Sequence, residues 1–225
     1  MADRTVLVTG GTGGLGRAVV AAFAANDWRV VVLDMRPAEL QGAELVAADL
    51  TDPDDVARAV QAGSAEAGAP LRAVANLVGG FAGDQPVVGT PVDVFEAQFR
   101  LNLRPTYLVT QAALPALAQA GGGAIVCVSS RSALHPFAGA SGYCASKAAV
   151  IAFAQVVARE HSADRIRCNA VLPQMIDTPA NRAAMPPEQH GSLTPPAEIA
   201  AVIRFLCSTE SAPTTGAAIP VYGQP

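Results

Sequence analysis

The run TGGTGGLG at 9–16 limits what this chain can become more than any other stretch. Before it stands RTVLVT at 4–9, β-branched and apolar; after it comes RAVVAAFAANDW at 17–28, apolar at helical spacing. Five glycines in the seven positions 10–16 therefore join a strand to a helix. Bare backbone lets a phosphate approach closely, and the helix N-terminus offers unpaired N–H groups and a favourable dipole. Two frames fit these letters. Gly11-x-Gly13-x-x-Gly16 matches the general dinucleotide fingerprint, and Thr9-Gly10-x-x-x-Gly14-x-Gly16 a longer-spaced variant. Gly10, Thr12, Gly14, Leu15 and Gly16 are the candidate pyrophosphate contacts.

The next apolar run, WRVVVLD, ends at Asp34, about twenty residues beyond the glycines. A carboxylate there accepts from ribose hydroxyls and repels a 2′-phosphate, which favours NAD(H) over NADP. Arg36 pulls the other way, since a guanidinium pairs with phosphate, but the glycine loop itself holds no basic residue. The connection Met35–Gly42 is too short for a crossover helix. AELVAADL at 43–50 reads as a third strand, followed by a helix capped by Thr51 or Asp52 with Pro53 in its first turn. LRAVANLVGG at 71–80 is a fourth strand. A long helix, 92–119, begins after Thr90-Pro91, and Pro105 should kink or divide it. GGGAIVCVSS, RIRCNAVLP and TGAAIPVY supply three more strands, with helices over GYCASKAAVIAFAQVVARE and LTPPAEIAAVIRFLCS between them. Alternating strands and helices predict an α/β fold: one doubly wound parallel sheet, covered on both faces, in a single domain over 1–225. Ligands of such sheets bind beyond the carboxyl ends of the strands, where Gly14, Asp34, Gly79 and Ser130 fall.

Chemistry is concentrated in VCVSSRSALHPFAGASGYCASK at 126–147. On a helix, Tyr143 and Lys147 share a face one turn apart. A nearby ammonium favours the phenolate, bringing the phenol toward use as a proton donor near neutrality. Ser130, at the end of the preceding strand, would polarise a carbonyl oxygen while Tyr143 delivers the proton. By itself Y-x-x-x-K is a weak motif, and only its setting gives it force.

Composition narrows the partners. With 51% apolar and 15% charged residues the chain can bury a substantial core, and a net charge of −4 without a basic run argues against nucleic acid. No eighteen-residue apolar stretch appears, and Asp3-Arg4 does not resemble the start of a signal peptide, so no membrane partner and a cytoplasmic location are expected. Cys127, Cys144, Cys168 and Cys207 have neither paired spacing nor nearby histidines, so neither a disulfide nor a metal is expected.

Taken together, TGGTGGLG at 9–16, DL at 49–50, NLVGG at 76–80, Asn102, VSS at 128–130, YCASK at 143–147, RCNAVLPQMIDTP at 167–179 and TGAAIPVYG at 215–223 resemble the short-chain dehydrogenase/reductases, over nearly the whole chain. The resemblance implies a Rossmann-type fold and NAD(H)-dependent hydride transfer to or from a small-molecule carbonyl or alcohol. It implies Asn102, Ser130, Tyr143 and Lys147 as the catalytic four, with Lys147 on the ribose and Asn102 holding a water that links Lys147 to solvent. It adds Asp49, Leu50, Gly79, Pro173, Ile176 and Thr178 to the cofactor contacts, the last two on the nicotinamide carboxamide. A homodimer or homotetramer through helices 92–119 and 143–160 is also implied. Three departures stand out: Leu77 replaces the second Asn of N-N-A-G, Gln174 a Gly after Pro173, and Tyr222 an Asp near the chain end.

The short Met35–Gly42 connection, GGFAG at 79–83 and DTPANRAAMP at 177–186 resemble the dihydropteridine reductase branch, which reduces a quinonoid C=N bond. That branch lacks the serine, so Ser130 favours carbonyl chemistry. A regulatory, non-catalytic dinucleotide-binding protein is the remaining alternative, opposed by the intact four. By position, Phe81, His135, Phe137, Gln174 and Met185 would line the substrate cavity, Arg131 would meet an anionic substrate or a nearby carboxylate, and Pro179–Leu193 would form a lid or a plain loop.

Overall fold

A computed structural model describes residues 2–36, 38–83 and 85–223. Its centre is a seven-stranded sheet whose pairings are all parallel: β1 (Thr5–Thr9), β2 (Arg29–Asp34), β3 (Ala43–Ala47), β4 (Leu71–Asn76), β5 (Gly123–Val128), β6 (Ile166–Pro173) and β7 (Ala218–Val221). The spatial order is β3-β2-β1-β4-β5-β6-β7. The winding reverses beside β1, which opens a crevice between β1 and β4 at their carboxyl ends.

Both faces of the sheet are buried, and each strand divides its apolar residues between them. Val6 and Val8 of β1 face one core and Leu7 the other; in β5, Val126 and Val128 oppose Ile125 and Cys127. That two-residue alternation within unbroken apolar runs is how a centrally buried parallel strand reads in sequence. One core is covered by α1 (Gly14–Ala24) and α7 (Pro196–Cys207). The other is covered by α2 (Pro53–Ser64), α4 (Arg104–Gln119) and α5 (Ser141–Glu160), with α3 (Val92–Asn102) packed beside α5.

Local chemistry sets the breaks. Asp52 caps α2 by accepting from the backbone N–H groups of Asp54 and Asp55 at 2.9 and 3.0 Å. The expected 92–119 helix is divided rather than kinked: α3 ends at Asn102, Leu103 departs from ideal helical geometry, and Pro105 falls in the first turn of α4, where its missing N–H costs nothing. No helix occupies 35–42 among the described residues, of which Pro37 is not one. Segment 179–193 is built from α6 (Pro179–Ala183) and a 3₁₀ turn, Pro187–Ser192. All four cysteines are buried and free. Helix α5 is long and apolar enough to cross a membrane by length and composition, yet half of it lies inside this core.

Candidate active site

A cleft of about 940 Å³ opens at the carboxyl ends of the strands, lined by the glycine loop, Asp34, Asp49, Leu50, Gly79, Ser130, Tyr143, Lys147, Pro173 and Ile176 among others. At one end the chain turns tightly after β1, with the Gly13 N–H donating to the Gly10 carbonyl at 3.1 Å. A Cβ on Gly16 would collide with that carbonyl and sit 2.6 Å from the Gly11 Cα, so only glycine lets α1 start this close to the loop. Thr12 is not on the cleft surface. Its N–H and hydroxyl donate to Asp34 Oδ2 at 3.2 and 2.7 Å, which places it behind the carboxylate as a support. Burial alone would raise the Asp34 carboxyl, but the hydrogen bonds from Thr12 and the Arg36 backbone outweigh it and hold the group below the ordinary carboxylate range. The Arg36 guanidinium, 3.7 Å from Asp34 Oδ1, adds to this.

At the other end, β5 delivers Ser130 and α5 delivers Tyr143 and Lys147. The Ser129 hydroxyl pins the two elements together by donating to the Lys147 carbonyl at 2.7 Å. Ser130 Oγ accepts from the Ser132 N–H at 3.1 Å, which closes the 3₁₀ turn Arg131–Ala133. The Lys147 side chain is 4% exposed and its Nζ donates to the Val128 carbonyl at 3.0 Å. Burial lowers its pKa to about 8. For Tyr143 burial is the leading influence and raises the phenol; the nearby Ser130 hydroxyl pulls down, and Cys144 adds a smaller push upward. The expected lowering of Tyr143 by Lys147 is therefore not present. Sharing a helix face brings the two side chains to the same cleft, but the amine goes to the end of β5 and the ring turns to Ser130.

Asn102 is fully buried at the α3–α4 break, where its Oδ1 accepts from the Gly80 N–H and its Nδ2 donates to the Gly80 carbonyl, both at 3.0 Å. It meets Lys147 across Gly79: a Cβ there would stand 2.7 Å from Asn102 Oδ1 and 2.8 Å from Lys147 Nζ.

The short chain dehydrogenase family model matches residues 4–189. This chain belongs to the short-chain dehydrogenase/reductase family. It is 33% identical over 229 residues to the 3-oxoacyl-[acyl-carrier-protein] reductase MabA of Mycobacterium tuberculosis, covering 98% of this chain and 92% of the relative. To the 2-(R)-hydroxypropyl-CoM dehydrogenase of Xanthobacter autotrophicus it is 30% identical, covering 98% of each. A short-chain type dehydrogenase/reductase from Mycobacterium ulcerans superposes with a TM-score of 0.90 at 27% identity, over 98% of this chain and 89% of that one. The chain is thus an oxidoreductase of a family that binds a nicotinamide dinucleotide.

The cleft of this dehydrogenase/reductase suits that cofactor. The glycine cradle that a Cβ would fill lies at one end, an ionised Asp34 beside it, and the phenol–hydroxyl pair at the other. Thr178 closes over the loop, 2.6 Å from where a Cβ on Gly14 would stand, while its hydroxyl caps α6 by accepting from the Asn181 N–H at 3.2 Å. The Ile176 carbonyl is likewise engaged, accepting from Asn181 Nδ2 at 2.8 Å. Of the expected substrate residues, Phe81, Phe137 and Gln174 line the cleft. Phe81 stands edge-on to Tyr143 with centroids 5.2 Å apart, and 6.0 Å from Phe137. His135 and Met185 are outside the lining; the His135 N–H donates to the Arg131 carbonyl at 3.0 Å just after the 3₁₀ turn, and the imidazole is exposed. Two further roles have no motif to announce them. Thr9 Oγ1 accepts from the Leu77 and Val78 N–H groups at 2.9 and 3.3 Å, binding the end of β4 where Leu77 departs from the family pattern. The Val128 carbonyl holds Lys147, and a backbone acceptor leaves no trace in side-chain spacing.

Proposed function

We propose that the protein is an NAD(H)-dependent dehydrogenase/reductase acting on a carbonyl or alcohol carbon of a small organic substrate, with Tyr143 as general acid/base. The observation that carries this reading is the meeting of Ser130, Tyr143 and Lys147 in the same cleft as the glycine cradle and Asp34. When bound, the nicotinamide supplies or accepts the hydride. Ser130 donates a hydrogen bond to the substrate oxygen, where negative charge develops, and Tyr143 gives that oxygen a proton in the reductive direction. Raised by burial, Tyr143 stays protonated at neutral pH, which suits a donor. Lys147, buried with Asn102 above Gly79, marks the boundary between the cofactor and the protein interior. Asp34 supports NAD(H): it is ionised, and it already engages Arg36, the residue a 2′-phosphate would need.

The test follows NADH oxidation spectroscopically against chemically diverse ketones, aldehydes and a quinonoid dihydropterin, with NADPH in parallel. Turnover of carbonyls with NADH is expected. Tyr143→Phe should lose nearly all turnover while still binding NADH, and a fully active variant would remove Tyr143 from the mechanism. Preferential turnover of the dihydropterin would move the protein to the C=N reductase reading.

A further inference from the structure

We propose that Arg131 selects oxo compounds bearing a carboxylate close to the reacting carbonyl, and that Gln174 and Tyr222 are the residues that aim it; this rests on the dehydrogenase reading above. Arg131 follows Ser130 directly in the chain and lines the same cleft. Its Nη1 donates to Gln174 Oε1 at 2.7 Å, and its guanidinium carbon lies 5.2 Å from the centroid of the Tyr222 ring. Gln174 is itself held in place. Its Nε2 donates to the Ser192 carbonyl at 3.0 Å and its N–H to the Val221 carbonyl at 3.3 Å, so the ends of β6 and β7 and the 187–192 turn all support one direction for the guanidinium.

Both partners are neutral. Among the described residues no carboxylate lies within 4.0 Å of Arg131, whereas Arg36, the other arginine in the cleft lining, is paired with Asp34. The carboxylate expected as the usual partner of such an arginine is not found among the described residues. Nε and Nη2 make no hydrogen bond to the described residues. An always-charged planar fork, oriented by an amide and a ring and neutralised by none of the described carboxylates, matches a carboxylate two oxygens at a time. Gln174 and Tyr222, brought from the ends of β6 and β7, thus converge on this one side chain. Arg131 and Ser130 line the same cleft, so one small molecule can present its acid group to the first and its carbonyl to the second. The reaction is oxo acid + NADH + H⁺ → hydroxy acid + NAD⁺, with the carboxylate unchanged.

The experiment uses the full chain, with 3-oxobutanoate, 4-oxopentanoate and 5-oxohexanoate, each beside its methyl ester. Binding is read by calorimetry in saturating NAD⁺, where no reduction can occur, and turnover separately with NADH. At least one acid should bind about 10- to 100-fold tighter than its ester, and Arg131→Met should erase that preference by weakening the acid alone. Arg131→Lys should restore part of it, since the charge returns without the fork. Gln174→Leu should weaken the acid more than the ester and so lower the acid–ester ratio. Esters binding as well as acids would overturn the proposal. So would an Arg131→Met variant that weakens acid and ester equally, as expected if Arg131 only ties the turn to β7. If Arg131→Met does not fold, the acid–ester ratio of the wild type and of Gln174→Leu decides. Acid-selective binding with no carbonyl reduced would defeat the dehydrogenase reading and leave Arg131 as an anion site. Turnover without acid preference would do the reverse.

Discussion

Replacing Lys147 with Met should make stability less dependent on pH in a calculable way. The ammonium is 4% exposed, and its hydrogen bond among the described residues goes to the Val128 carbonyl. Burial takes its pKa from 10.5 to about 8, a fall equivalent to about 3 kcal/mol. The folded state thus prefers the neutral amine more than the unfolded chain does. Between about 8 and 10.5 the unfolded chain binds more protons at this residue, so stability rises with pH across that window. Below about 8 both states carry the charge and the full penalty applies; above 10.5 neither does. Met fills nearly the same space without the charge. Its lost hydrogen bond to Val128 shifts stability by a roughly constant amount, so the informative quantity is the change with pH. Urea unfolding of both proteins, followed by circular dichroism from about pH 7 to about pH 10.5, should show Lys147→Met losing its advantage by about 3 kcal/mol as pH rises. Parallel stability curves across that range would mean that Lys147 titrates normally and that its burial is not what the structure indicates.

Three other outcomes are expected. Gly16→Ala places a methyl against the backbone of Gly10 and Gly11, so NADH affinity measured by fluorescence should fall by at least about tenfold with the far-ultraviolet spectrum unchanged; retained affinity would remove the pyrophosphate from this loop. Asp34→Asn takes away the charge that opposes a 2′-phosphate, and the NADH-to-NADPH ratio of kcat/KM should move toward NADPH by about tenfold, no change meaning that Asp34 does not set the choice. Val92, Tyr107 and Val156 expose 71, 45 and 49% of their surface on α3, α4 and α5, apolar side chains that a second copy would cover; sedimentation at micromolar concentration should give a dimer or tetramer, and a monomer would refute that.

Much of the fold was legible because its signals are local. Each strand of the sheet is a mostly apolar run, and Pro105 signalled the break that separates α3 from α4. The glycine loop announced itself through a requirement that only glycine meets, visible at Gly16. His135 falls outside the cleft lining because position along the chain does not show the turn there: the Leu134 and His135 N–H groups both donate to the Arg131 carbonyl and leave the imidazole exposed. The tuning of Tyr143 was misjudged for a related reason. Helical periodicity gives the face of a side chain, whereas its pKa depends on what packs around it, here burial and the Ser130 hydroxyl.

Chain order alone decided the α/β class and put the glycine loop, Ser130, Tyr143 and Lys147 forward as candidates, since each of these signals depends on neighbours within a few residues. Packing decided the rest. Thr12 supports Asp34, Val128 holds Lys147, and Arg131 is aimed by side chains 43 and 91 positions further along. Hydrogen bonds and burial act over a few ångströms in space, and residues that far apart become neighbours only once the sheet has brought the ends of its strands together.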